Sequence, residues 1–61
     1  QQELEVLYLA SKGKTNKEIS DELNLAQRSV EYHLSHVYKK LNVTSRVHAI
    51  RKAIEMNLIQ S

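Results

Sequence analysis

The sequence predicts an all-α fold of four short helices, and three observations predict it. The 61 residues contain no proline, no Phe, no Trp and one glycine, Gly13, a composition that favours helices over sheets. Apolar residues recur at steps of three and four, most clearly Val30, Leu34, Val37 and Leu41. Helix-stop and helix-start residues (Gly13, Thr15, Asn24, Asn42, Ser45) break the chain into segments with very short links. A chain of this length makes one small domain, residues 1–61, with a modest core. The absence of cysteine excludes a disulfide framework, a thiolate nucleophile and a thiolate metal site. There is neither an apolar run of membrane-spanning length nor a signal-peptide pattern, so no membrane association and a cytoplasmic location are expected.

The first helix is expected over residues 1–12, with Leu4, Val6, Leu7, Leu9 and Ala10 on a broad apolar side. No Ser, Thr, Asp or Asn caps its start and no initiator Met precedes it, so the chain is expected to be a fragment of a larger protein. Gly13 should end the helix in the left-handed region, with Lys12 and Lys14 at its negative end. Thr15-Asn16-Lys17-Glu18 is a capping box: the Thr15 hydroxyl can accept from the Glu18 amide, and the Glu18 carboxylate from the Thr15 amide. A second helix should follow to Leu23, with Ile19 and Leu23 inward and Asn24 in a helix-ending, left-handed position.

The third helix, over residues 26–42, organises the rest. At about 100° per residue, Val30, Leu34, Val37 and Leu41 fall within roughly 60° of one another. Arg28, Tyr32, Ser35 and Lys39 lie together on the opposite side, with Glu31 at its edge. Asn42 should stop this helix, Val43 plug the end of the core, and Thr44 or Ser45 cap a last helix from Arg46 to Met56. Ala49, Ile50 and Ala53 should face inward there, with Val47, Ile54 and Leu58 beside them and Asn57 as the final cap.

Charge is uneven. Residues 1–31 carry four basic and six acidic side chains, a sum of −2, and residues 32–61 carry five and one, a sum of +4. That is compatible with a polyanion facing the second half. The helices from Thr15 to Leu41 have the spacing of a helix-turn-helix: a small residue (Ser20), a turn residue four later (Asn24), and an apolar anchor six beyond (Val30). Its second helix, third in the chain, can present its outer face to the major groove of double-stranded DNA.

Asn16-Lys17-Glu18-Ile19, Leu25, Ser29-Val30 with His33, Lys40-Leu41-Asn42-Val43, Arg46 and Ala49 resemble the LuxR/GerE-type helix-turn-helix. This is the effector domain of NarL/FixJ response regulators and quorum-sensing receptors; Glu5-Val6-Leu7 and Gly13 extend the likeness to nearly the whole chain. The resemblance implies a four-helix DNA-binding domain whose third helix is the recognition helix and whose fourth forms a homodimer on paired half-sites. It also implies an N-terminal receiver or ligand-binding domain outside this chain, in a regulator of a two-component system. The chain departs from the pattern at Gln2, where Arg is usual, at Ser20 for Ala, at Ala26 for a Ser cap, and at Glu31 for Lys or Arg.

Base contacts are expected from Arg28, Glu31, Tyr32 and Ser35, Tyr32 first among them, where an ordinary solvated face is the other reading. Phosphate contacts are expected from Lys39 and Lys40, from Asn16 and Lys17 at a helix start, and from Gln27 and Ser29. Val47, Ile50, Arg51 and Ile54 are the candidate dimer surface. His33 reads as structural, and His33 with His36, lacking cysteine and an acidic partner on their face, gives no metal site. Arg46 also reads as structural. No cofactor or catalytic constellation is expected, and hence no enzyme. A sigma-factor region-four-like promoter-binding domain and a helical protein-interaction module remain as alternatives. A groove for a partner chain would favour Leu, Met or Phe where the third helix offers Arg, Tyr, Ser and Lys.

Overall fold

The computed structural model describes residues 2–60 and contains four helices: α1 (Gln2–Ser11), α2 (Asn16–Leu23), α3 (Gln27–Leu41) and α4 (Arg46–Glu55). The expected first residue of α1, Gln1, lies outside the described residues. α1 and α3 each pack against the other three helices, whereas α2 and α4 do not pack on each other. The core is Val6, Leu7, Leu9 and Ala10 of α1, Ile19 of α2, the four stripe residues of α3, and Ala49 and Ala53 of α4. Ala49 and Ala53 have no accessible surface; their small side chains let α4 approach closely.

The helix ends share one device. Gly13, Asn24, Asn42 and Asn57 all have positive φ, from 57° to 84°. After each, the next amide reaches back five residues: Lys14 to Leu9 (3.4 Å), Leu25 to Ser20 (2.8 Å), Val43 to Tyr38 (2.9 Å) and Leu58 to Ala53 (2.8 Å). This is the Schellman closure, which satisfies carbonyls the helix leaves unpaired. After two of the asparagines it turns an apolar residue, Leu25 or Val43, back against the core.

Four expectations shift. The last helix stops at Glu55 with Met56 as its cap, and Asn57 is the left-handed residue beyond it. Ile50 is only half-buried, because Ala49 and Ala53 already take the closest approach to the core. The tail contributes Ile59, 8% exposed, to the core while Leu58 stays outside, since the turn at Asn57 redirects the chain. Lys12 and Lys14 do not sit in the last turn of α1: Lys12 lies over the Tyr8 ring, 5.1 Å from its centroid, and Lys14 pairs with Glu22 at 3.6 Å. An open cleft lined in part by Leu4, Tyr8, Leu23 and Leu58 lies between α1, the end of α2 and the tail.

Two polar ties join helices distant in sequence. Arg46 donates through Nη1 to the Lys14 carbonyl (3.2 Å) and through Nη2 to Asn16 Oδ1 (2.6 Å), linking the start of α4 to the start of α2. Glu3 of α1 accepts from His36 Nδ1 and from Lys40 Nζ (3.1 Å), both on α3. The hydrogen bond from His36 is the main reason the Glu3 carboxyl lies below its ordinary value of 4.5; partial burial opposes it and Lys40 adds to it. A carboxylate with a depressed folded-state pKa contributes stability above its unfolded value and loses it as pH falls. Unfolding of Glu3→Gln should therefore show lower stability than the native chain near neutral pH and a shallower loss of stability on acidification below about pH 5. Identical acid limbs for the two chains would show that this tie does not stabilise the fold.

Candidate nucleic-acid interface

The candidate interface is the outer side of α3, and what holds α3 decides what it shows. The capping box at Thr15 forms as the sequence requires: Thr15 Oγ1 accepts from the Glu18 amide at 3.2 Å, and Glu18 Oε1 from the Thr15 amide at 2.8 Å. Ser20 is buried, and its hydroxyl donates to the Lys17 carbonyl at 2.7 Å, so this small polar residue is satisfied within its own helix. Only Asn24, Leu25 and Ala26 separate α2 from α3. With Asn24 left-handed, a link this short fixes the crossing of the two helices. Val30, without accessible surface, anchors α3 on the other side.

The outer face of α3 is then exposed as a unit. Gln27, Arg28, Glu31, Tyr32, Ser35 and Lys39 are all exposed, and Ser29 is half-buried. Tyr32 stands out at 62% exposure, its ring roughly parallel to that of His36 (centroids 5.8 Å apart, 9° between planes) and edge-on to His33 (5.6 Å, 67°). The face is about 22 Å long at 1.5 Å per residue, and an α-helix fits the width of a major groove. At its start, Ala26 occupies the cap position with no side-chain hydrogen bond, so the expected missing cap is real.

The expected phosphate contacts divide by surroundings. Lys39 is exposed in the last turn of α3, and Lys17 is exposed beside Asp21, 3.7 Å away on the same helix. Lys40 points back to Glu3, and Asn16 gives its carbonyl oxygen to Arg46. The structural reading of Arg46 agrees with both of its hydrogen bonds. On α4, Val47, Ile50, Arg51 and Ile54 share one open hollow of about 340 Å³ with Glu55.

The histidines need correction. His36 has an acidic partner after all, Glu3, brought in by α1 from 33 residues away. His33 is partly buried, and its Nδ1 has no hydrogen-bond partner. Sequence reading missed Glu3 because nothing local to residue 3 signals a contact with residue 36.

A capped helix, a left-handed turn and a second helix with an exposed, mixed polar face define a helix-turn-helix domain of the DNA-binding class. The chain belongs to the family described as bacterial regulatory proteins, luxR family, which matches residues 1–53, and it is a LuxR-type DNA-binding domain of transcription regulators. It is 48% identical over 60 residues to the transcriptional activator protein EchR of Dickeya chrysanthemi, spanning 98% of this chain and 24% of that protein. It is 49% identical over 45 residues to the transcriptional regulatory protein ComA of Bacillus subtilis, spanning 74% of this chain and 21% of that protein. The response regulator ChrA of a heme-sensing two-component system superposes with a TM-score of 0.91 at 34% identity, over 95% of this chain and 29% of that one. The chain thus spans about a quarter of the length of these relatives. Among the described residues, no helix is long and apolar enough to cross a membrane.

Since the Ala26 cap position is empty, Ala26→Ser should raise stability by about 1 kcal/mol through a new bond to a first-turn amide. Thermal unfolding of the two chains checks this, and an unchanged midpoint would mean those amides are already satisfied.

Proposed function

We propose that this domain binds double-stranded DNA sequence-specifically, with α3 in the major groove, as the output module of a larger transcription regulator working in the cytoplasm. The observation that carries the proposal is the continuous exposed face of α3, opposite a fully apolar buried stripe. Arg28, Glu31, Tyr32 and Ser35 are the base-reading side chains. Arginine pairs well with guanine, whereas Glu31 can accept from a cytosine amino group. Lys39, Lys17, Gln27 and Ser29 contact phosphates, joined by Lys40 and Asn16 if DNA draws them from Glu3 and Arg46. The role is binding, without catalysis.

A domain this small offers few contacts, so useful affinity calls for two copies on paired half-sites. The hollow of Val47, Ile50, Arg51 and Ile54 is the proposed homodimer surface, and Val47 is 63% exposed there. In a two-fold arrangement each copy offers the same patch to the other. Arg51 of one copy can then face Glu55 of the second. Likeness to response regulators supports an additional receiver or ligand-binding domain in the intact protein, which would control pairing.

Selection of bound duplexes from a random pool tests the proposal, and it predicts a paired motif at fixed spacing. Recovery of nothing above background, even with a forced dimer, would refute it. On the selected duplex, Tyr32→Ala should reduce the preference over random DNA by about 1–3 kcal/mol with little change in binding to random DNA. Equal loss on both would refute the readout role. Lys39→Ala should weaken all duplexes alike and reduce the salt slope by about one; an unchanged slope would remove it from the phosphate contacts.

A further inference from the structure

We infer that His36 is a positioning residue for DNA readout: anchored by Glu3, it holds the Tyr32 ring in the orientation in which it meets the bases. The inference rests on the proposed role of Tyr32. A tyrosine that is 62% exposed on a helix is held only loosely by burial. Two rings hold it here. The His36 ring, one turn on, lies nearly parallel to it, and that of His33, the next residue, meets it edge-on. Aromatic pairs favour these two arrangements, offset-parallel and edge-to-face.

His36 can do this because its own ring is fixed from below. Its Nδ1–H donates to Glu3, whose side chain is 21% exposed and is further held by Lys40 at 3.1 Å. The chain of contacts therefore runs from α1 through Glu3 and His36 to Tyr32 on the DNA face. Ordering a side chain at the moment of binding weakens association, and a side chain ordered beforehand escapes that loss. In the DNA-free chain Lys40 is turned to Glu3, where it adds to the same anchor. Neither His36 nor Glu3 needs to touch DNA for this role.

The test uses the 61-residue chain, the duplex selected from the random pool and a scrambled duplex of equal length. His36→Ala should lower the ratio of selected to scrambled affinity about three- to tenfold, the range an aromatic pair supports. His36→Phe, which restores a ring but not the hydrogen bond to Glu3, should recover only part of the ratio. In a Tyr32→Ala background, His36→Ala should leave the ratio unchanged. In the free chain, the χ1 scalar couplings of Tyr32 should report one rotamer in the native chain and averaging in His36→Ala, with Glu3→Gln shifted in the same direction. A ratio that His36→Ala leaves intact while Tyr32→Ala lowers it would overturn this inference alone, as would couplings that His36→Ala leaves unaltered. An equal drop in both backgrounds would also overturn it, by showing that His36 acts independently of Tyr32. A ratio unmoved by Tyr32→Ala itself would overturn the base-reading role and this inference together.

Discussion

The packing of the stripe Val30, Leu34, Val37 and Leu41 against the other three helices is the interaction on which the remaining structure depends. Each fully buried aliphatic side chain contributes about 1.5–3 kcal/mol, whereas an exposed ion pair such as Lys17–Asp21 contributes about 0–1 kcal/mol. Burial therefore decides which side of α3 faces inward. Because a helix turns about 100° per residue, fixing the inward side also fixes the outward one, and Arg28, Tyr32, Ser35 and Lys39 follow. The exposed face of α3 is a geometric consequence of the core.

The polar ties set a finer level of order. Arg46 closes the start of α4 onto the start of α2, two helices that otherwise do not pack together. Glu3 binds α1 to the exposed side of α3 rather than to its buried stripe. That places a network of partly exposed groups beside the outer face of α3, where small energies alter side-chain orientation without altering the fold. Asparagine in the left-handed region at three of the four helix ends adds rigidity through backbone geometry in a chain with a single glycine.

Much of this was legible in the residues. The capping box, the left-handed asparagines and the stripe of α3 are local signals, each written within four or five neighbours, and the helices followed them to within a residue or two at their ends. The exposure of the α3 face follows from the same periodicity. What was not legible depends on long-range placement: Glu3 meeting His36, the Tyr32 ring lying on the His36 ring, and Ile59 rather than Leu58 entering the core. Ile50 was misplaced for a related reason, since periodicity could not tell that the alanines on either side of its turn would take the closest contact. The helical period assigned the sides, and tertiary distances chose the partners.

The most direct test of the central claim, that the outer face of α3 meets DNA, is a titration of isotope-labelled chain with a duplex selected from a random pool, followed residue by residue in NMR spectra. The account predicts the largest perturbations along residues 27–39, centred on Arg28, Tyr32 and Ser35, with smaller ones at Lys17 and the start of α2. Perturbations concentrated in the cleft of Leu4, Tyr8, Leu23 and Leu58, with the outer face of α3 unmoved, would contradict it.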